Sequence, residues 1–381
     1  MRASTGAVFE LYAPTRTHDS IELRVRSSVG GPLRLSVGDV EHVVERPNES
    51  RAGLHFYRHT FDGLESGSAW MAEACLLSSD QRLRLETSTL PAPPGRKKLS
   101  IGVISDLHLS TERRGIDGFA RRTKRLYGLA HELGARYIER LDALGVDLIV
   151  LPGDIVDPCT NATLGALREL FERVQTRCYP IIGNHEPWTR GGEALFYRAL
   201  GLPNGGYYSI EREGVRLLML STPTPAAVAP GSPQWQWLES ELGAASPSDD
   251  VVLFSHFSLL LHPCVQGVND DGYQLLDSHT ALLKLLSAYP NVRLFAAGHK
   301  NVPSTLVRDG ILHTLSPQLI QAPCGYDVIH LYEGGVARTT YEIDEQHYTE
   351  VARSAYGERY GERYGREQDR NFSHRYADDG V

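Results

Sequence analysis

The sequence predicts an α/β sandwich preceded by a small antiparallel β-sandwich, and three observations lead there. Residues 1–95 hold short stretches of alternating apolar and polar residues, SIELRVRS, LRLSVGD and HFYRHTF, broken by Gly, Pro, Asn and Asp. That is the pattern of half-buried antiparallel strands. From Leu99 the texture changes to continuous apolar runs, LSIGVIS, DLIVLPG, YPIIG, VVLFS and VRLFAAG, separated by helical periodicity. Strands apolar on both faces with helical crossovers belong to an α/β sandwich. Finally, Asp, His and Asn stand where those runs stop.

Taken in order, the β-domain covers 1–95 and gives way to LPAPPGRKK, a Pro- and Gly-rich linker with a boundary between Pro91 and Lys98. The α/β domain covers 96–345. Within it, Leu133, Tyr137, Leu141 and Leu144 share one helical face, as do Leu164, Leu167, Phe171 and Val174. Ser232 as N-cap with Pro233 at the first helical position starts a third helix that turns Trp235, Leu238 and Leu242 inward. Asp277 or Ser278 caps a fourth, running through LLKLLSAY. Residues 346–381 read as a Tyr/Gly/Arg-rich tail, with Tyr356, Tyr360 and Tyr364 on one helical face. Gly357, Gly361 and Gly365 weaken that helix by roughly 1 kcal/mol each. A solvated tail is expected, with homo-oligomerisation or docking through it as the second reading.

Composition excludes some functions. The net charge of −8 over 381 residues argues against a general nucleic-acid or anionic-membrane binder. No apolar run reaches the roughly 18 residues needed to span a bilayer, and MRASTGAVFELYAP lacks the apolar stretch of a secretory signal. A cytoplasmic protein is expected. Five widely spaced cysteines without a CxxC pair read as free thiols.

The chemistry sits at the strand ends: Asp106 and His108 in SDLHLS, Asp154 in PGDIVD, Asn184 and His185 in IGNHEP, His256 in FSHFS, and His299 in AAGHKN. Open α/β sheets bind ligands beyond the carboxyl ends of their strands, so five such endings converge on one place. Carboxylate, imidazole and amide oxygen suit Mn²⁺, Zn²⁺ or iron, and no thiolate is offered. A carboxylate such as Asp154 can bridge two cations about 3.5 to 4 Å apart, a spacing that clamps a phosphate and its nucleophile together. Gly precedes Asp154, Asn184 and His299, permitting the sharp turns that present those side chains.

The ordered set Asp106-x-His108, Gly153-Asp154, Gly183-Asn184-His185-Glu186, His256, Gly298-His299 resembles the calcineurin-like metallophosphoesterase superfamily over about residues 99–345. The resemblance implies a four-layer αββα sandwich holding two divalent or trivalent ions, Mn, Fe or Zn. It implies Asp106, His108 and Asp154 for the first ion, and Asp154, Asn184, His256 and His299 for the second. Asp154 and His185 would be catalytic, with His185 beside the leaving group and Glu186 and Asp157 orienting the ligands behind it. Such enzymes usually close with GHxH. Here the last position is Asn301, a weaker, neutral ligand that predicts a looser first site. His313, in ILHTLSP, is a candidate replacement. FDGLESGSAW followed by LETSTLP looks similar to the end of the fibronectin-like domain of purple acid phosphatases, yet Asp157 stands where those enzymes carry an iron-binding tyrosine.

For substrate, the basic stretch after His108 offers Arg113, Arg114 and Arg121, backed by Arg122, Lys124 and Arg125, as an entrance for a small phosphorylated molecule. TPTPAAVAPGSPQWQW is a second candidate lid, with Trp235 or Trp237 as a base-stacking residue. The expected reaction is hydrolysis of a phosphate ester by a metal-bridging hydroxide. A diester is favoured, because SPQLIQAPCGYDVIHLYEGG looks like the cyclic-nucleotide phosphodiesterase branch. The alternatives are a phosphomonoesterase on a small metabolite, and a weakly catalytic partner-binding scaffold that Asn301 keeps open.

Overall fold

Alternation in the first part becomes two four-stranded antiparallel sheets packed face to face. One runs Phe9–Arg16, Ser20–Ser27, Leu54–Asp62, Glu49–Arg51, and the other Val40–Val44, Leu33–Val37, Ala69–Leu76, Gln81–Ser88. Ile21, Leu23 and Val25 from the first meet Leu33, Leu35 and Val37 from the second, every second residue turning inward. The computed structural model describes residues 8–79, 81–111, 123–263 and 275–376. Arg113, Arg114 and Arg121 lie outside the described residues.

The second part has two six-stranded sheets. One is ordered Cys178–Ile181, Leu148–Pro152, Lys97–Val103, Gly325–Tyr332, Gly335–Glu342, Asn371–Arg375, and the other Tyr208–Arg212, Val215–Met219, Asp250–Ser255, Val292–Ala297, Ile311–Leu315, Ser304–Arg308. Their facing sides bury Leu99, Ile101, Val103 and Val150 against Leu217, Val252, Phe254 and Leu294. Helices Ala130–Ala143, Asn161–Phe171 and Gly192–Leu200 cover the outside of the first sheet, and Pro233–Ala244 and His279–Leu286 the outside of the second. This is the expected four-layer αββα sandwich. The strands are continuously apolar because each is covered on both faces.

The helical faces hold with one exception at their ends. Leu133, Tyr137 and Leu141 are buried, but Leu144 falls past the last turn and is exposed. Val174 also follows the end of its helix, Asn161–Phe171, yet still packs on the core that Leu164 and Leu167 enter. Ser232 caps its helix as expected, its Oγ accepting from the Trp235 amide at 3.2 Å. Ser278 precedes helix His279–Leu286 without a side-chain cap bond.

The C-terminal residues are not a solvated tail. Strand Asn371–Arg375 pairs antiparallel with Gly335–Glu342 and completes the first sheet. Before it, helices Gln346–Tyr356 and Tyr360–Tyr364 pack Tyr348, Tyr356 and Tyr360 onto the outer core. Asn371 also ties the β-domain down, donating to Pro14 O at 3.0 Å. Thus the segment expected to be a solvated tail docks on its own chain, because the sheet edge otherwise offers unpaired backbone groups. Cys75, Cys159, Cys178 and Cys324 are free thiols. Among the described residues no helix is long and apolar enough to cross a membrane.

Candidate metal centre

Five strands of the two facing sheets deliver the polar residues. Asp106 and His108 follow Lys97–Val103, Asp154 follows Leu148–Pro152, Asn184 and His185 follow Cys178–Ile181, His256 directly succeeds Asp250–Ser255, and His299 and Asn301 follow Val292–Ala297. The backbone there is unusual. Asp106, His108, Asp154, His299 and Asn301 all have φ between 44° and 67°, the left-handed region that side chains rarely enter. Such strain is kept where surrounding structure over-determines it, and it gathers at functional sites. Here it turns each strand end so that consecutive polar side chains face one another.

The side chains meet in two overlapping groups. His108, Asp154 and His185 form one, Asp154, His256 and His299 the other, each with donor atoms within 4.8 Å of one another. Asp154 belongs to both. Asp106 Oδ1 and Asp154 Oδ2 each lie 3.9 Å from His108 Nε2. On the other side, His256 Nε2 is 3.0 Å from Asn184 Oδ1, 3.1 Å from His299 Nδ1 and 3.3 Å from Asp154 Oδ2. Several buried atoms find no partner among the described residues: Asp106 Oδ1, both ring nitrogens of His108, and Asn301 Oδ1. Buried polar groups are nearly always satisfied, so a cluster of orphaned oxygens and imidazole nitrogens fits a cation site. Asp106, His108, Asp154, Asn184, His185, His256 and His299, the strand-end residues the sequence singled out, all reach this place.

Electrostatics follows from burial and from Asp154. Burial pushes the His108 imidazole down to about 3, and burial with the nearby His256 charge holds His299 well below its usual range. Both are neutral, lone-pair-bearing rings. Burial would lower His256 too, but the Asp154 carboxylate beside it prevails and lifts it to about 9. Glu186 is pushed up to about 7 by burial and by Asp154.

Behind the donors lies a rigid support. Glu186 Oε1 accepts from the amides of Ile155 and Val156 at 2.6 and 3.1 Å, and Oε2 from the Gly183 amide at 2.9 Å. It therefore clamps the loop after Asp154 to the loop before Asn184, acting on backbone rather than on the histidine. Asp157 takes the histidine: its Oδ2 lies 2.8 Å from His185 Nδ1, leaving Nε2 pointing at Asp154 Oδ2, 3.7 Å away. The glycines serve more than sharp turns. Only Gly153 has positive φ; at Gly183 and Gly298 a Cβ would strike Asp154 Oδ1 and Ser105 Oγ respectively, so these two supply room.

Some expectations land elsewhere. His313 does not fill the place left by Asn301: it sits beside His262 and Arg308, on the face of its strand that carries Ile311 and Leu315 to the outer helices. Trp235 is core, its indole N–H donating to Glu239 at 2.9 Å, and Trp237 packs on Tyr207. An exposed aromatic at the centre is Trp188, 69% exposed and lying against the His185 ring at 3.8 Å. Its signal was its place three residues after His185 in NHEPW. Arg363, from the supposed tail, also arrives here, donating to Asn301 O at 3.3 Å. Nothing in local sequence pattern announces that contact.

Fold and site together define a metal-dependent phosphoric ester hydrolase. The sequence model of the calcineurin-like phosphoesterase family matches residues 99–303, and the chain belongs to that family. The family implies a dinuclear metal centre. A comparison with curated proteins finds no match. Among solved structures the chain is similar to a dimetal phosphatase from Danio rerio, at 17% identity and TM-score 0.51, covering 64% of this chain and 96% of that one. It is also similar to PhoD, at 12% identity and TM-score 0.42, covering 86% and 85%, and to the purple acid phosphatase PPD1 from yellow lupin (Lupinus luteus), at 13% identity and TM-score 0.47, covering 88% and 72%. These likenesses concern fold alone.

Proposed function

We propose that the enzyme hydrolyses a phosphodiester, and that its two metal positions are unequal. The observation that carries the reading is the pair of donor groups sharing Asp154, with the buried, unpartnered Asn301 Oδ1 following the same strand as His299. Asp106, His108, Asp154 and Asn301 would hold one cation, and Asp154, Asn184, His256 and His299 the other. When bound, the pair supplies Lewis acidity toward the phosphoryl oxygens and a water of lowered pKa.

The remaining work falls to protein groups. Asp157 holds the His185 ring through Nδ1 at 2.8 Å, so that Nε2 is placed to hand a proton to the leaving oxygen. Arg125 closes the basic stretch whose other arginines were expected at the entrance, with Nε lacking a partner and Nη1 on the Tyr127 hydroxyl at 3.0 Å. Its guanidinium is available to a phosphoryl oxygen. The exposed indole of Trp188 offers a face for an aromatic leaving group or base. Asn301, a weaker ligand than the imidazole it replaces, would hold its cation less tightly, and a partly filled first position presents less positive charge, which suits a diester monoanion better than a monoester dianion. The free thiols support a cytoplasmic setting.

The test compares bis-p-nitrophenyl phosphate with p-nitrophenyl phosphate in added Mn²⁺. Higher kcat/KM on the diester is expected, with activity abolished in Asp154→Ala and reduced about 10²- to 10⁴-fold in His185→Ala. A clear monoester preference overturns the diester assignment, and metal-replete protein inert on both favours the scaffold reading.

A further inference from the structure

A second cavity, of about 370 Å³, lies between the β-domain and the C-terminal helices and shares no lining residue with the metal centre. Its volume is that of a small-molecule site. Tyr12 and Phe56 reach it from strands Phe9–Arg16 and Leu54–Asp62, and Tyr360 and Tyr364 from helix Tyr360–Tyr364. Aromatic walls of this kind accept a flat ring.

Polarity at the walls is specific. Gln346 and Thr349, on helix Gln346–Tyr356, are only 5% and 8% exposed, yet neither amide atom of Gln346 nor the hydroxyl of Thr349 has a hydrogen-bond partner. The Tyr364 hydroxyl is also unpartnered. These are buried donors and acceptors at the rim of a space the fold leaves open, and such groups call for a partner. Charges, by contrast, are settled among themselves: Arg26 pairs with Glu10 at 3.0 Å and Glu350 at 2.5 Å, and Arg353 with Glu10 at 3.2 Å. A ligand bearing net charge would have to break one of these pairs.

We propose that this cavity is a second ligand site, for a neutral planar heterocycle whose edge presents a donor beside an acceptor, as a nucleobase does. A carboxamide offers the complementary pair, the arrangement by which glutamine reads an adenine edge. Stacking against tyrosines holds the ring, and Gln346 and Thr349 select its edge. The same short helix that supplies Tyr360 and Tyr364 carries Arg363, whose Nη2 donates to Asn301 O at 3.3 Å and Gln321 Oε1 at 3.0 Å. Filling the cavity therefore biases the Asn301 end of the metal centre. This coupling, unlike the binding itself, rests on the reading of Asn301 as a ligand.

Adenosine is the probe, measured by isothermal titration on the full chain. Without metal, saturable one-site binding is expected in wild type and equally in Asp154→Ala, which separates this site from the catalytic one. Gln346→Leu should weaken it by roughly tenfold or more, because a site built around a polar edge loses its selectivity when that edge is removed. Thr349→Val, a milder change, guards against misfolding of the first variant, and circular dichroism checks both. Absent binding, or binding unchanged in both variants, overturns the site and leaves the cavity to water. For the coupling, adenosine should shift Mn²⁺ affinity severalfold, and Mn²⁺ should shift adenosine affinity by the same factor. Equal Mn²⁺ affinity with and without adenosine overturns that half.

Discussion

At the scale of single residues, His256 sets the proton balance of the centre. Its Nδ1 lies 2.9 Å from Pro152 O, to which it donates, and its Nε2 faces Asp154 and Asn184 oxygens. The Asp154 charge, prevailing over burial, raises the ring to about 9. A cation taking Nε2 must therefore displace a proton at neutral pH. His108 and His299, held neutral, release none. Because the raised value means His256 is protonated below about 9, affinity for the ion at Asp154, Asn184, His256 and His299 should climb with pH. The slope should approach about tenfold per unit for one displaced proton and flatten above about 9. Mn²⁺ titrations at several pH values, with proton release followed in weak buffer, check this. Affinity independent of pH between neutral and the plateau sinks it.

At the scale of elements, the strand-end turns decide the geometry, and their glycines are not equivalent to glycines in helices. Gly298→Ala would drive a Cβ into Ser105 Oγ and Pro152 O beside Asp106, whereas Gly165, in helix Asn161–Phe171, faces open space. Gly298→Ala should thus lower kcat/KM by about 10²-fold or more by displacing a ligand. Gly165→Ala should leave activity unchanged and add up to about 1 kcal/mol of stability. Steady-state kinetics beside thermal melts distinguish them, and a fully active Gly298→Ala would falsify the crowding argument. Element positions of this kind were largely readable from the sequence: apolar runs marked the strands, Ser232-Pro233 the helix start, and the polar residues after each run the centre. What escaped depended on partners far along the chain. NFSHR shows no apolar alternation, and it becomes a strand because the edge at Gly335–Glu342 is open to it. Left-handed backbone at His108 and His299 runs against residue preference and is imposed by packing. Arg363 meets Asn301 only through the fold of the last helices.

At the scale of the whole molecule, the β-domain is joined to the catalytic sheet by buried polar contacts. Arg24, in strand Ser20–Ser27, is buried and donates through Nη1 to Glu342 Oε2 at 3.2 Å and Ile343 O at 2.9 Å, and through Nη2 to Glu342 O at 3.3 Å. Thr15 Oγ1 donates to Thr340 O at 3.4 Å, and the Asn371 side chain links the last strand of the catalytic sheet to Pro14 and Arg16. Breaking a buried ion pair from one side strands the other charge, at a cost of about 3–5 kcal/mol. Arg24→Ala is therefore expected to destabilise the protein by that amount although it lies outside the catalytic domain. Loss should appear in both parts together, so that urea unfolding followed by Trp70 fluorescence in a variant lacking the other tryptophans coincides with loss of esterase activity. Arg24 also pairs through Nε with Glu22 Oε1 at 2.7 Å, so removing all three charges, as Arg24→Met with Glu22→Gln and Glu342→Gln, should recover much of the stability, because neither carboxylate is then left buried without its partner. If Arg24→Ala instead unfolds the β-domain early while activity persists to the wild-type midpoint, the two parts are independent and these contacts only decorate their boundary.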